Sequence, residues 1–177
     1  MKLLKRISLI VVPLVATLAF IGFLQPGHYQ VERSLVMQAK PEKIYPVIAD
    51  LKTWEDWTAW NKELDPKITR TFSGSASGAG AVMSWDGKKT GQGEFKFTDA
   101  TAPTRIGYSL AFEHGKYLST GAFILETTPD GTRVRWTNEG DLGMNPISRL
   151  MGRFMDRLMG DDFSKGLSKL KARVEAK

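Results

Sequence analysis

The chain has 177 residues, 42% of them apolar, which suffices for one buried core and, once an N-terminal apolar run is set aside, is too little for two ordinary domains. It contains no cysteine, which excludes disulfides, thiolate nucleophiles and cysteine-ligated metal centres. Half of the net charge of +6 is carried by Lys2, Lys5 and Arg6, and the remainder holds 22 basic against 19 acidic residues, not the balance of a nucleic-acid-binding surface.

From Ile7 to Leu24 the sequence ISLIVVPLVATLAFIGFL has no charge. As a helix rising about 1.5 Å per residue it nearly spans a hydrocarbon core of about 30 Å. The competing reading is a cleaved signal peptide, but Thr17-Leu18-Ala19 fits a small-x-small cleavage site poorly and apolar residues continue beyond it. A retained transmembrane anchor, residues 1–27 including the Gln25-Pro26-Gly27 stop, is therefore expected. The flanking basic residues would stay cytoplasmic, and the domain, residues 28–177, would lie on the extracytoplasmic side, the periplasm in a diderm bacterium.

Tyr29 to Ala39 alternates β-branched and polar residues and predicts a first strand. Lys40-Pro41-Glu42 then opens a short helix with Ile44, Val47, Ile48 and Leu51 at helical spacing. Trp54, Trp57 and Trp60, three apart, predict a second short helix that plugs the gap between helices and sheet, with Trp60 and Asn61 near its mouth. From Asp65 the period becomes two. Six further strands are predicted over 66–73, 79–85, 91–98, 105–113, 117–127 and 132–139, with hairpin turns at Asp86-Gly87 and Asp130-Gly131 and a glycine-rich hairpin loop over 73–80. That loop has neither the lysine nor the following helix of a phosphate cradle. Asn145 caps and Pro146 starts a long closing helix, in which Ile147, Leu150, Met151, Phe154, Met155, Leu158, Met159, Phe163, Leu167, Leu170 and Val174 predict one continuous buried stripe. Gly152, Gly160 and Gly166 within it predict close packing or a bend.

This order of elements, together with the stretches ERSLVMQAKPEKIYPVIADLKTWEDWTAW, GAGAVMSWDG, GTRVRWTNEGD and MDRLMGDDFSKGLSKLK, resembles the START-like or SRPBCC superfamily from about Tyr29 to Ala176, and within it the bacterial polyketide cyclase/dehydrase-like branch. The resemblance implies an α+β helix-grip fold of the birch-allergen kind: a seven-stranded curved antiparallel sheet with two short helices, closed by the C-terminal helix around an apolar cavity. It implies a hydrophobic small molecule or lipid as ligand, but not one activity, since a fold does not fix a function.

Strand alternation then supplies the candidate ligand-binding residues: Met83 and Trp85, Tyr108 and Phe112, Phe123, Trp136 and Asn138 from the sheet, Trp60 from the short helix, and Met155 and Met159 from the closing helix, whose lid is expected to include Phe154 and Leu158. Trp85, Tyr108, Trp136 and Asn138 each carry a polar group onto an apolar face, where a ligand, the backbone or water must meet it. No catalytic constellation, metal site or cofactor motif is evident. His28 and His114 are far apart in the element order, Asp162 and Lys165 are spaced to pair on the helix surface, and Glu94 and Asp141 are weak acid–base candidates. A binding module is thus the first expectation. An aromatase/cyclase-type enzyme and a ligand-free envelope interaction protein, meeting anionic headgroups through Arg149, Arg153, Arg157, Lys165 and Lys169, are the alternatives.

Overall fold

The computed structural model describes the backbone of residues 2–176 and side-chain surroundings from residue 11. In chain order it comprises α1 (Lys2–Phe23), β1 (His28–Met37), α2 (Pro41–Ala49), a 3-10 turn (Leu51–Thr53), α3 (Trp54–Trp57), β2 (Thr69–Gly74), β3 (Ala81–Gly87), β4 (Gly91–Thr101), β5 (Arg105–Phe112), β6 (Tyr117–Thr128), β7 (Gly131–Asp141) and α4 (Pro146–Glu175). The seven strands form one sheet in the order β1-β7-β6-β5-β4-β3-β2, antiparallel throughout. β2 to β7 are a meander of consecutive hairpins, as their turn punctuation requires, and β1 returns beside β7 at the far edge.

Two turns are displaced from the dipeptides that announced them, the first to just beyond its dipeptide and the second one residue earlier. Asp86 and Gly87 still pair with β4, so the loop is Lys88–Thr90; Thr128 pairs with Gly131, so the tight turn is Pro129-Asp130. Gly131 has φ +131, and a Cβ there would strike the Met37 carbonyl of the neighbouring β1, so both the turn and the close strand approach demand glycine. Asp65 ties the β3–β4 loop to the segment before β2. It is buried, and its carboxylate accepts from the Lys89 and Thr90 amides at 2.6 and 3.1 Å, which hold its pKa below the usual value.

The core lies between the concave face of the sheet and three helical pieces. Ile44 and Ile48 of α2, Trp54 and Trp57 of α3, and Phe163, Leu167, Leu170 and Val174 of α4 are all buried there. α4 begins as expected, with the Asn145 side chain accepting from the Ile147 amide at 2.9 Å. Its glycines do mark close packing: a Cβ at Gly166 would press on the Trp136 indole, one at Gly160 on the Arg33 guanidinium, and one at Gly152 on Leu142.

The single buried stripe expected along α4 is corrected. The buried face is confined to Gly160 and beyond, whereas Ile147, Met151, Phe154 and Leu158 point to solvent. Phe154 and Leu158 therefore form no lid; Met155 and Met159 remain half-buried against the core. The run of apolar residues from 147 to 159 is too dense to define one side of a helix. Stacking of Phe163 on Trp136 further along sets the helix rotation and leaves most of them outward.

α1 covers most of the expected span, residues 7–24; residues 7–10 lie outside those whose side chains are described. Among the described residues no helix is long and apolar enough to cross a membrane. Between residues 11 and 24 only Gly22 is buried, against Pro146 at the start of α4.

Candidate binding site on the concave face

Alternation along the strands sends one set of side chains into the concavity, and the register lines them up in rows across the sheet. One row runs Val31, Asn138, Gly121, Tyr108, Phe97; the adjacent row runs Tyr29, Gly140, Ser119, Leu110, Phe95, Met83, Phe72. In the next row Trp85, Gly93 and Phe112 are only half-buried, so the concave face has a filled deep end and a more open end.

The deep end is packed with rings. Trp136 stacks on Phe163 at 4.1 Å between centroids and lies tilted against Phe123 at 4.7 Å, while Trp54 stands edge-on to Phe95, Phe97 and Phe123. All are buried. The gap expected under the closing helix is thus occupied here by protein, because α3 drives Trp54 and Trp57 into it. The tryptophan plug is observed, with Trp60 half-buried beside it at 5.9 Å from Trp136.

Beneath the rings lies a closed polar network. The Tyr108 hydroxyl donates to the Thr137 carbonyl at 2.6 Å and accepts from Trp136 Nε1 at 3.1 Å and Asn138 Nδ2 at 3.3 Å. Asn138 also donates to Ser119 Oγ at 3.1 Å and accepts from the Tyr29 hydroxyl at 3.1 Å. Burial pushes the hydroxyls of Tyr108 and Tyr29 above the ordinary tyrosine pKa, since the phenolate would lose its solvation. The polar atoms of Tyr108, Trp136 and Asn138 are therefore met by protein, and Trp85 Nε1 donates to the Thr90 carbonyl at 3.2 Å. Gly121 makes room for this arrangement: any Cβ there would collide with the Tyr108 hydroxyl and the Thr137 carbonyl.

Of the ten residues singled out from sequence, Met83, Tyr108, Phe123, Trp136 and Asn138 are buried and form the floor. Trp60, Trp85, Phe112, Met155 and Met159 are half-buried, and all but Phe112 pack against the core. Trp85 lies across Gly93 and faces Phe112 at 6.3 Å; Met159 precedes Phe163 by one helical turn. Alternation marks Leu110 as inward, and it lies there; sequence reasoning missed Tyr29, which shares its row, although the alternation of β1 marks it as inward too. It also missed Arg70, which pairs with Trp85 across the β2–β3 ladder, forms an ion pair with Glu55 and donates to the Trp60 carbonyl, so a charge braces the tryptophan at the rim. Desolvation lowers the Arg70 pKa, but an arginine stays charged at any ordinary pH.

Two depressions, of about 540 and 290 Å³, are open to solvent and lined chiefly by outward-facing residues. Thr120 and Glu139 belong to both. His28, Glu94 and Asp141 lie in the larger one, whose lining also includes Tyr29, Leu110 and Ser119. The Asp162–Lys165 pair forms on the α4 surface at 3.8 Å.

The fold has many solved counterparts. Protein CV1439 of Chromobacterium violaceum superposes with a TM-score of 0.60 at 17% identity, over 84% of this chain and 98% of that one. Protein MLL2253 of Mesorhizobium loti gives 0.58 at 17%, over 81% and 94%. DynU16, from the dynemicin biosynthetic locus, gives 0.58 at 12%, over 83% of this chain and 47% of its own. At such identities these likenesses establish the helix-grip fold alone. No curated protein matches the chain in sequence. A family model described as polyketide cyclase / dehydrase and lipid transport matches residues 28–175, the whole unit from β1 to the end of α4, and the chain belongs to that family.

Proposed function

We propose that the domain is a binding module for an apolar small molecule or lipid, held at the open end of the concave face and kept at a membrane by α1. The observation that carries this reading is that the apolar side chains of Trp60, Trp85, Met155 and Met159 pack against the core only half-buried, with Phe112 beside Trp85, over a floor that is already satisfied internally. Aromatic and methionine side chains accommodate varied apolar shapes, and burying one such side chain against a guest contributes about 1.5–3 kcal/mol. Leu110 and the ring of Tyr29 continue the same surface. Solvent extraction of the purified full chain followed by mass spectrometry is expected to release an apolar passenger in near-stoichiometric amount. Trp85→Ala or Phe112→Ala should lower its occupancy about tenfold, the equivalent of about 1.4 kcal/mol. Equal recovery from all three proteins, or none from any, would overturn the reading.

The tether rests on the uncharged run 7–24, the basic residues before it and the exposure of Val12, Leu14, Phe20 and Leu24. Such a helix, uncharged over residues 7–24 and exposed along most of its described length, suits a lipid environment. The expected topology puts the domain outside the cytoplasm. An Asp130→Cys variant, in a chain with no other cysteine, should then react with a membrane-impermeant maleimide in intact spheroplasts; labelling only after lysis would reverse the topology.

A further inference from the structure

The first half of α4 carries an apolar stripe on the side opposite to the one that packs. Ile147, Met151, Phe154 and Leu158 are 70%, 50%, 55% and 57% exposed, at spacings that place them on one side of the helix. Phe163 and Leu167, nine positions after Phe154 and Leu158, are buried. Nine residues make about two and a half turns, so the stripe faces directly away from the core. Single exposed apolar residues are ordinary, but a contiguous strip of four large ones marks a contact surface.

What surrounds the strip identifies the partner. Met144, 71% exposed, extends it toward the chain reversal, and there α1 joins it: Gly22 abuts Pro146, and Arg149 donates to the Phe23 carbonyl at 3.3 Å. The apolar surface of α1, with Phe20, Phe23 and Leu24 exposed, thus continues into α4. Arg153 and Arg157 lie along one side of the strip, both exposed and neither in an ion pair among the described residues, while the exposed Asp156 between them is paired with Arg33. Asp161, exposed, ends it. An apolar strip bordered by cations and adjoining an apolar anchor has the chemistry of a helix lying in a bilayer interface whose headgroups are anionic.

We infer that residues 147–158 of α4 form a second membrane contact, lying in the interfacial zone with Arg153 and Arg157 on anionic headgroups. This rests on the anchored reading of α1 and adds to it an orientation: the lipid surface meets the outer side of the same helical segment whose inner side presents Met155 and Met159 to the concave face. One helix diameter, about 10 Å, then separates bilayer from binding surface.

The test labels the cysteine-free full chain at Phe154→Cys with an environment-sensitive fluorophore, and at Asp130→Cys, in the distant β6–β7 turn, as control. On phosphatidylcholine vesicles containing phosphatidylglycerol, the label at position 154 is expected to shift to the blue and to lose about two- to fivefold in iodide quenching, the label at 130 to change in neither respect. Combining Arg153→Glu with Arg157→Glu should restore quenching at 154 while the chain still floats with the vesicles. A chain that floats yet leaves 154 as quenchable as 130 overturns this inference and leaves the anchored reading standing. A chain that does not float overturns both. Efficient oxidative cross-linking of Phe154→Cys chains to one another at low surface density assigns the strip to a second copy and overturns it as well.

Discussion

Trp136→Ala is expected to cost the fold about 3–5 kcal/mol, the range for removing a large buried aromatic side chain. The indole is 1% exposed and is the meeting point of the deep end, stacked on Phe163 of α4, tilted on Phe123 of β6 and edge-on to Trp54, Trp57 and Trp60. Aromatic pairs contribute about 0.5–1.5 kcal/mol each beyond the area they bury, so truncation removes several favourable contacts at once and opens a cavity between sheet and helix. Because whole-domain stabilities run to about 5–15 kcal/mol, the variant should lie near the edge of folding at room temperature. Urea denaturation followed by circular dichroism checks this. A midpoint shift worth less than about 1 kcal/mol would mean that the rings repack without Trp136 and that the deep end is looser than its geometry implies.

Alkaline pH should unfold the domain through its buried tyrosines. The Tyr108 hydroxyl, held between the Thr137 carbonyl, Trp136 and Asn138, has its pKa raised by burial above the ordinary 10.0, and Tyr29 shifts in the same direction. In the unfolded chain both titrate near 10. Above that pH the unfolded chain releases protons that the folded one keeps, so stability is intact below pH 10 and falls as pH rises, by about 1.4 kcal/mol per pH unit for each such tyrosine until the folded pKa is reached. Tyr108→Phe should flatten part of this slope. At neutral pH the same variant should cost about 1–3 kcal/mol, since the Trp136 and Asn138 donors lose their acceptor in a buried setting. Denaturant midpoints measured from pH 8 upward read both effects; a wild-type stability that stays level well above pH 10 would contradict the buried network.

Most of the architecture was legible because its signals are local. The period-two alternation after Asp65 and the Gly, Asp and Pro punctuation place every strand of the meander to within a few residues, and Asn145-Pro146 starts α4 where the structure does. The errors in turns are also local. Asp86-Gly87 and Asp130-Gly131 are hairpin signals, but glycine serves here as the last or first paired residue, and register across the hairpin, which depends on the partner strand, moves the turn away from it.

The site was legible only as a list of inward residues. Alternation assigns Tyr108, Phe123, Trp136 and Asn138 to the concave face without saying what lies opposite. Trp54 and Trp57 do lie opposite, from an element more than fifty residues earlier in the chain than Tyr108, and they turn these four from candidate contacts into floor. Likewise, the polar atoms that alternation leaves without a partner find one another across β1, β5, β6 and β7.

By itself, then, the sequence determined the seven strands, the sheet faces and the start of the closing helix, since periodicity and capping act over a few bonds along the backbone. Only the tertiary structure decided which end of the concave face is solid and which side of α4 is buried. Both depend on side-chain volumes brought together from distant segments, and the stacking of Phe163 on Trp136 turns the first half of the helix so that its apolar strip faces away from the protein.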